Sequence, residues 1–257
     1  MKRSLFFIFL FTFVVFITNA EAQKPRILTK TFKKPATAIA QQTRETSNTA
    51  IVIDERLGVL RFEPSLFSKS VLRMQNGRKI SILSSKEADG VTFYRVTAPP
   101  NNFGWVQAEA VAGRFRRGDD ARLAKLIQAS EGFEQIERAQ IFFETFADSP
   151  LRPAILLLLG DLMEETALKI STDATRRLDR REMAASGAPL HSFYLNFVAL
   201  DRYRKININF LFNSNTRLLH YDGASWREIT RKFPNSSEAP EAQKRLVSLK
   251  EKMERMK

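Results

Sequence analysis

The 257-residue sequence contains no cysteine. That excludes disulfides, thiolate metal sites and cysteine nucleophiles. Histidine is almost as scarce. His191 and His220 are the only two, 29 positions apart, and no H-E-x-x-H pattern surrounds either. The common zinc arrangements therefore have no ligand set to draw on. The 10 glycines are scattered, so no glycine-rich phosphate loop exists. Ser192 and Ser225 lack a nucleophile-elbow context. Asp161, Glu164 and Glu165 in "LLLLGDLMEE" have no partner pattern and read as a solvated or ion-paired helix face. These absences leave no catalytic constellation and no expected cofactor or metal.

The charge is the strongest positive feature. Lys and Arg number 41 against 28 Asp and Glu, a formal net charge of +13. The first residues explain where such a charge works. Lys2 and Arg3 precede the charge-free apolar run Leu5–Ile17, and "AEA" follows at Ala20–Ala22. This is the pattern of a secretory signal cleaved after Ala22, or else of an uncleaved anchor. The run is shorter than the roughly 20 residues of a membrane span. Nothing later in the sequence is long and apolar enough for one, so no transmembrane segment is expected in the mature chain. A periplasmic or secreted location follows. For an exported basic protein, anionic headgroups, acidic glycans or cell-wall polymer are more natural partners than nucleic acid, which is not expected. Residues 23–49 carry six Lys/Arg against one Glu. They read as a flexible basic linker that either stays solvated or touches an anionic surface.

Residues 50–113 read as short strands separated by turns: "AIVID", "GVLRF", "RKISILSS", "VTFYRV" and "FGWVQ". Five or six short strands bury too little as a flat sheet and are expected to curl into a small barrel without exposed edges. From Gly118 the apolar period becomes helical. Asp119 and Asp120 are candidate caps for a first helix carrying Leu123, Leu126 and Ile127. A second stripe holds Ile136, Ala139, Phe143 and Phe146. The third helix contains Ile155 to Leu159, five apolar residues in a row, and is expected to be the covered, central one. A short helix and loop at 171–188, a helix at 190–206, a short helix and turn at 207–223, and helices at 224–233 and 236–256 complete the expectation. The last of these is read as opening on a serine cap.

Four motifs in order, "VLRFEPS" (59–65), "NGRKISIL" (76–83), "TFYRV" (92–96) and "GWVQAEAV" (104–111), resemble the bacterial SH3-like (SH3b) domain. Ala139, Phe143 and Pro150, then Leu156, Leu159-Gly160 and Met163, and "SWREITRKFPNSSEAPEAQKRL" (225–246) make residues 119–257 resemble, more loosely, helix-pair repeats of the tetratricopeptide class found in bacterial envelope proteins. The expected fold class is multidomain: an all-β small SH3-like barrel (50–113) plus an all-α helical repeat-like bundle (119–257). The resemblances imply two interaction modules. The barrel would contact a peptide or cell-wall polymer, and the helical part a protein partner, in an exported non-enzymatic scaffold of the envelope. The alternative is an accessory or regulator of a cell-wall hydrolase.

Three residues are candidate binding groups. Trp105 either closes the barrel at its edge, with its N–H hydrogen-bonded, or touches ligand. Phe93 and Tyr94 are neighbours on a strand and point to opposite faces, so that one is core and Tyr94 can be exposed. Arg61 either pairs across the sheet or holds a carboxylate of a peptide or wall stem.

Overall fold

A computed structural model describes residues 48–254. The predicted signal segment, its cleavage point at Ala22 and all but the end of the predicted linker lie outside the described residues. The sheet begins where that linker was expected to end. Its strands are β1 (Thr49–Val52), β2 (Val59–Arg61), β3 (Ser70–Arg73), β4 (Lys79–Ala88), β5 (Val91–Ala98), β6 (Asn102–Gln107) and β7 (Val111–Ala112). β3 and β7 lie outside the five strand runs quoted from the sequence.

The strands form one antiparallel sheet in the order β3-β2-β6-β5-β4-β1-β7. Alternation sends Ala50, Val52, Leu60, Ile80, Val96 and Val106 into a common core. The register of β4 shifts between Ile82 and Ser84. A bulge of this kind bends a strand, so β4 pairs with β5 along its length and with β1 near its start. The result is a curled half-barrel, not the edge-free barrel expected, because β3 and β7 end the sheet without pairing to each other. The β7 edge is met by the first helix, α1 (Asp119–Gln128). The β3 edge is only four residues long, which limits what it can template.

The junction between sheet and helices is built from charge. Gly118, with φ 84°, takes the cap position of α1. Asp119 is therefore not the cap expected of it. Its buried carboxylate instead accepts the Gly113 N–H at 2.9 Å and binds Arg116 (2.6 Å) and Arg122 (3.2 Å). Both guanidinium groups also donate to carbonyls at the end of the sheet, Arg116 to Ala108 and Arg122 to Glu109. A second link comes from α2 (Gly132–Thr145). Its buried Arg138 donates to the Ile53 carbonyl at 3.0 Å and pairs with Glu134 at 2.6 Å. Ile51, Ile53 and Ala112 of the sheet pack into the same apolar cluster as the helices. The sheet and helices fall in one compact unit.

Behind them runs α3 (Arg152–Arg177), with Pro153 in its first turn. None of Ile155 to Leu159 is exposed, as the unbroken apolar run requires. Then come α4 (Arg180–Ser186), α5 (Leu190–Leu195), α6 (Asp201–Arg204), α7 (Ala224–Lys232) and α8 (Ala239–Glu254). The single helix expected at 190–206 is broken at Asn196 and Phe197. The Asn196 side chain donates to the Ser192 carbonyl at 2.8 Å, and Phe197 is extended. Such local bonding offers the backbone an alternative to helix. The Ser236 hydroxyl makes no hydrogen bond among the described residues, and α8 starts later, at Ala239 with Pro240 behind it.

The all-α expectation for this half is corrected by a β-hairpin. β8 (Phe210–Asn213) pairs with β9 (Leu218–Tyr221) where a short helix and turn were expected. The turn is held by Asn213 Oδ1, which accepts the N–H groups of Asn215 and Thr216. The molecule is thus a β part followed by a mixed, mainly helical part. Among the described residues no helix is long and apolar enough to cross a membrane.

Candidate functional site

The outer face of the sheet collects aromatic, cationic and hydroxyl side chains by register alone. Trp105 on β6 lies opposite Arg61 on β2 and opposite Arg95 on β5. Directly paired residues share a face. Three strands therefore present an arginine, the tryptophan and a second arginine in a row. Two residues back on β6, Phe103 is 60 % exposed and faces Thr97, which faces Ser81, which faces Thr49. This second row floors a cavity of about 340 Å³, closed at one end by Pro99 and Pro100 and flanked by Lys79.

Gly104 makes the arrangement possible. A side-chain carbon there would stand 2.5 Å from the Arg61 carbonyl oxygen and 2.9 Å from Leu60 Cγ. Only glycine lets β2 lie this close to β6.

The two arginines differ. Arg61 is half-buried and donates from Nη1 to the Ser68 carbonyl at 2.8 Å, so one arm of it holds the β2–β3 loop. It makes no ion pair across the sheet among the described residues. Its Nε is buried without a partner among the described residues. Arg95 is exposed and has no hydrogen bond or ion pair among the described residues. It is an unpaired cation beside Trp105. The β2–β3 loop adds apolar area, with Phe62 62 % and Phe67 90 % exposed. Asp89 in the β4–β5 turn pins that loop by accepting from the Ser65 hydroxyl (2.7 Å) and the Leu66 N–H (2.8 Å). The same two bonds hold the Asp89 carboxyl below its usual range.

The predicted trio is split. Trp105 and Arg61 come together, but Tyr94 does not join them. Tyr94 lies opposite Val106 on the inner side, where its ring meets Phe115 edge-on at 5.6 Å. Phe93 lies opposite Gln107, on the same side of β5 as Arg95, but is fully buried and so offers no ring to a ligand. Trp105 sits on an interior strand, half-buried, and its indole N–H has no partner among the described residues. Arg95 is the member the sequence reading missed. The hairpin about Pro99–Pro100 pairs Ala98 with Asn102, and continuing that register brings residue 95 opposite 105. That symmetry was the available signal.

A second polar cluster lies on the helical side. Glu164 on α3 accepts from His220 Nδ1 at 2.9 Å, from Lys252 Nζ at 2.6 Å and from the Tyr221 N–H at 2.9 Å. Burial opposes ionisation of this carboxyl, but the three hydrogen bonds outweigh it and lower its pKa to about 2. Nearby, Asp161 pairs with Arg245 at 2.9 Å. The acids of "LLLLGDLMEE" thus include the ion pairs anticipated. His220 was not anticipated among them. The cluster joins α3, β9 and α8 and has no nucleophile or metal-ligand set within it. Among the described residues no group of three or more His, Asp or Glu could hold a metal ion.

No family model, curated protein or solved structure matches this chain. Its functional reading rests on the geometry of the outer sheet face.

Proposed function

We propose that the protein is an exported, non-enzymatic binding protein of the bacterial cell envelope. Its curled sheet, of the SH3-like kind, contacts an acid-bearing peptide or cell-wall polymer, and its helical part contacts a protein. The observation that carries this reading is Trp105 held between Arg61 and Arg95 on an exposed face. An indole offers a flat apolar platform for a peptide or sugar face. A guanidinium beside it can take a carboxylate in two parallel hydrogen bonds. Thr97 and Ser81 along the adjoining cavity supply donors and acceptors for hydroxyl or amide groups. Peptide stems of cell wall carry carboxylates, amides and small apolar side chains together, which is the chemistry this face complements. The basic excess of the chain favours encounter with such an anionic polymer.

Sedimentation of the purified protein with insoluble peptidoglycan tests the reading. The wild type is expected in the pellet. Trp105→Ala and Arg95→Glu are expected to reduce the bound fraction at least tenfold at low salt. Both side chains are outside the sheet core, so circular dichroism should be unchanged. A wild type that stays in the supernatant refutes the polymer reading. A cleared band in a wall-embedded gel refutes the non-enzymatic one.

A further inference from the structure

The geometry points to a second binding site, under α4, for an acidic segment of a partner protein. It rests on the reading that the helical part contacts a protein, and it names where and by what chemistry. Every residue of α4 is exposed or half-buried and none is buried. A helix that touches so little of its own chain has a face to offer. Beneath one side of it lies a cavity of about 460 Å³. Half-buried Leu178, Met183 and Leu190 form its floor, and exposed Arg180 and Arg217 stand at its rim. The two arginines come from different elements, the start of α4 and the β8–β9 turn, where Arg217 is held at φ 57°. Neither has an ion pair or hydrogen bond through its side chain among the described residues, and the same is true of the neighbouring Arg176 and Arg181.

Neither Asp179, which caps α4, nor Glu182 within it lines this groove. Asp179 and Glu182 line an adjoining cavity of about 390 Å³ that shares Met183 and Ala188 with the groove, and there Arg177 is already paired with Asp173 at 3.2 Å. The Asp179 carboxylate is occupied by the N–H groups of Arg181 and Glu182. An apolar floor between unpaired arginines selects an occupant with carboxylates flanking apolar side chains.

No residue lining the groove is buried, so it is an open trough. A lone acyl chain in it would remain largely wet, whereas a peptide segment attached to its own protein covers the trough from above. The chain's residues 23–49 carry six Lys/Arg against one Glu and have the wrong sign to fill it.

The test is an NMR titration of the full chain with a synthetic peptide alternating leucine and glutamate. Its glutamine counterpart and phosphatidylglycerol vesicles serve as controls. Shifts are expected at the amides of Arg180, Met183, Ala188 and Arg217, with at least tenfold weaker binding of the glutamine peptide. Arg180→Glu/Arg217→Glu should weaken binding at least tenfold. Arg231→Glu, an exposed arginine on α7, should leave it unchanged. Since α4 buries nothing, the melting temperature of the double variant should match wild type. No shifts at these amides, equal losses in both variants, or vesicle binding in place of peptide binding overturns the site. A protein partner whose capture is undiminished by Arg180→Glu/Arg217→Glu also overturns it, while leaving the broader reading of a protein-binding helical part in place.

Discussion

Gly104 stands where β2 lies closest to β6, with the Arg61 carbonyl in the space any side chain would take. Gly104→Ala must push the strands apart against a fully buried Leu60. Overpacking of this kind costs about 1–3 kcal/mol. Chemical denaturation should show that loss, and polymer binding should fall with it because Arg61 and Trp105 no longer register. An Ala variant as stable as wild type would mean that β2 is not held against β6 as described. At this scale the sequence was only partly legible. Arg61 and Trp105 are singled out by their motifs and do meet. Tyr94 is singled out equally and turns inward, because a strand's two faces cannot be told apart until the partner strand is known. Arg95 sits in the same "FYRV" stretch and is the better exposed cation.

Among the elements, the β8–β9 hairpin depends most on its neighbours. Two strands alone are marginal in water. The outer edge of β9 is therefore bound by a helix: α3 offers Ser171 Oγ to the Leu219 N–H at 2.7 Å and Glu164 Oε2 to the Tyr221 N–H at 2.9 Å. Ser171 and Glu164 are two helical turns apart, matching alternate N–H groups of the strand. The sequence 207–223 could not disclose this, since the acceptors lie some 50 residues upstream. The long apolar run of α3, by contrast, predicts its own burial and is found covered. Glu164 ionises more readily in the folded chain, with a pKa of about 2 against an ordinary 4.5. Its stabilising contribution is thus fully present above about pH 4.5. It is lost as the pH falls from there through about 2. Glu164→Gln should cost roughly 1–3 kcal/mol at neutral pH. Thermal melts should also show a shallower decline between pH 4.5 and 2 than in wild type. Parallel acid limbs for the two proteins would contradict the role given to this carboxylate.

Across the whole molecule, sheet and helices share one core through Ile51, Ile53 and Ala112, and a buried Arg138 spans them. The change of sequence period at Gly118 marks where the strands stop, yet it does not mark a gap in packing. The short link "FRRGDD" explains this, because Phe115, Arg116 and Asp119 within it are all bonded or packed to the sheet. Two surfaces carry unpaired arginines beside apolar side chains, the Trp105 face of the sheet and the groove under α4. With a net charge of +13, both should lose affinity as salt rises. The first of these is the face proposed to bind cell-wall polymer. Titration of the full-length wild type and Arg95→Glu with soluble peptidoglycan fragments, followed by NMR, tests that proposal most directly. Shifts are expected at Phe103, Trp105, Arg95 and Thr97 in wild type, with binding at least tenfold weaker in Arg95→Glu. Equal binding by the two proteins, or shifts confined to the helical part, would contradict it.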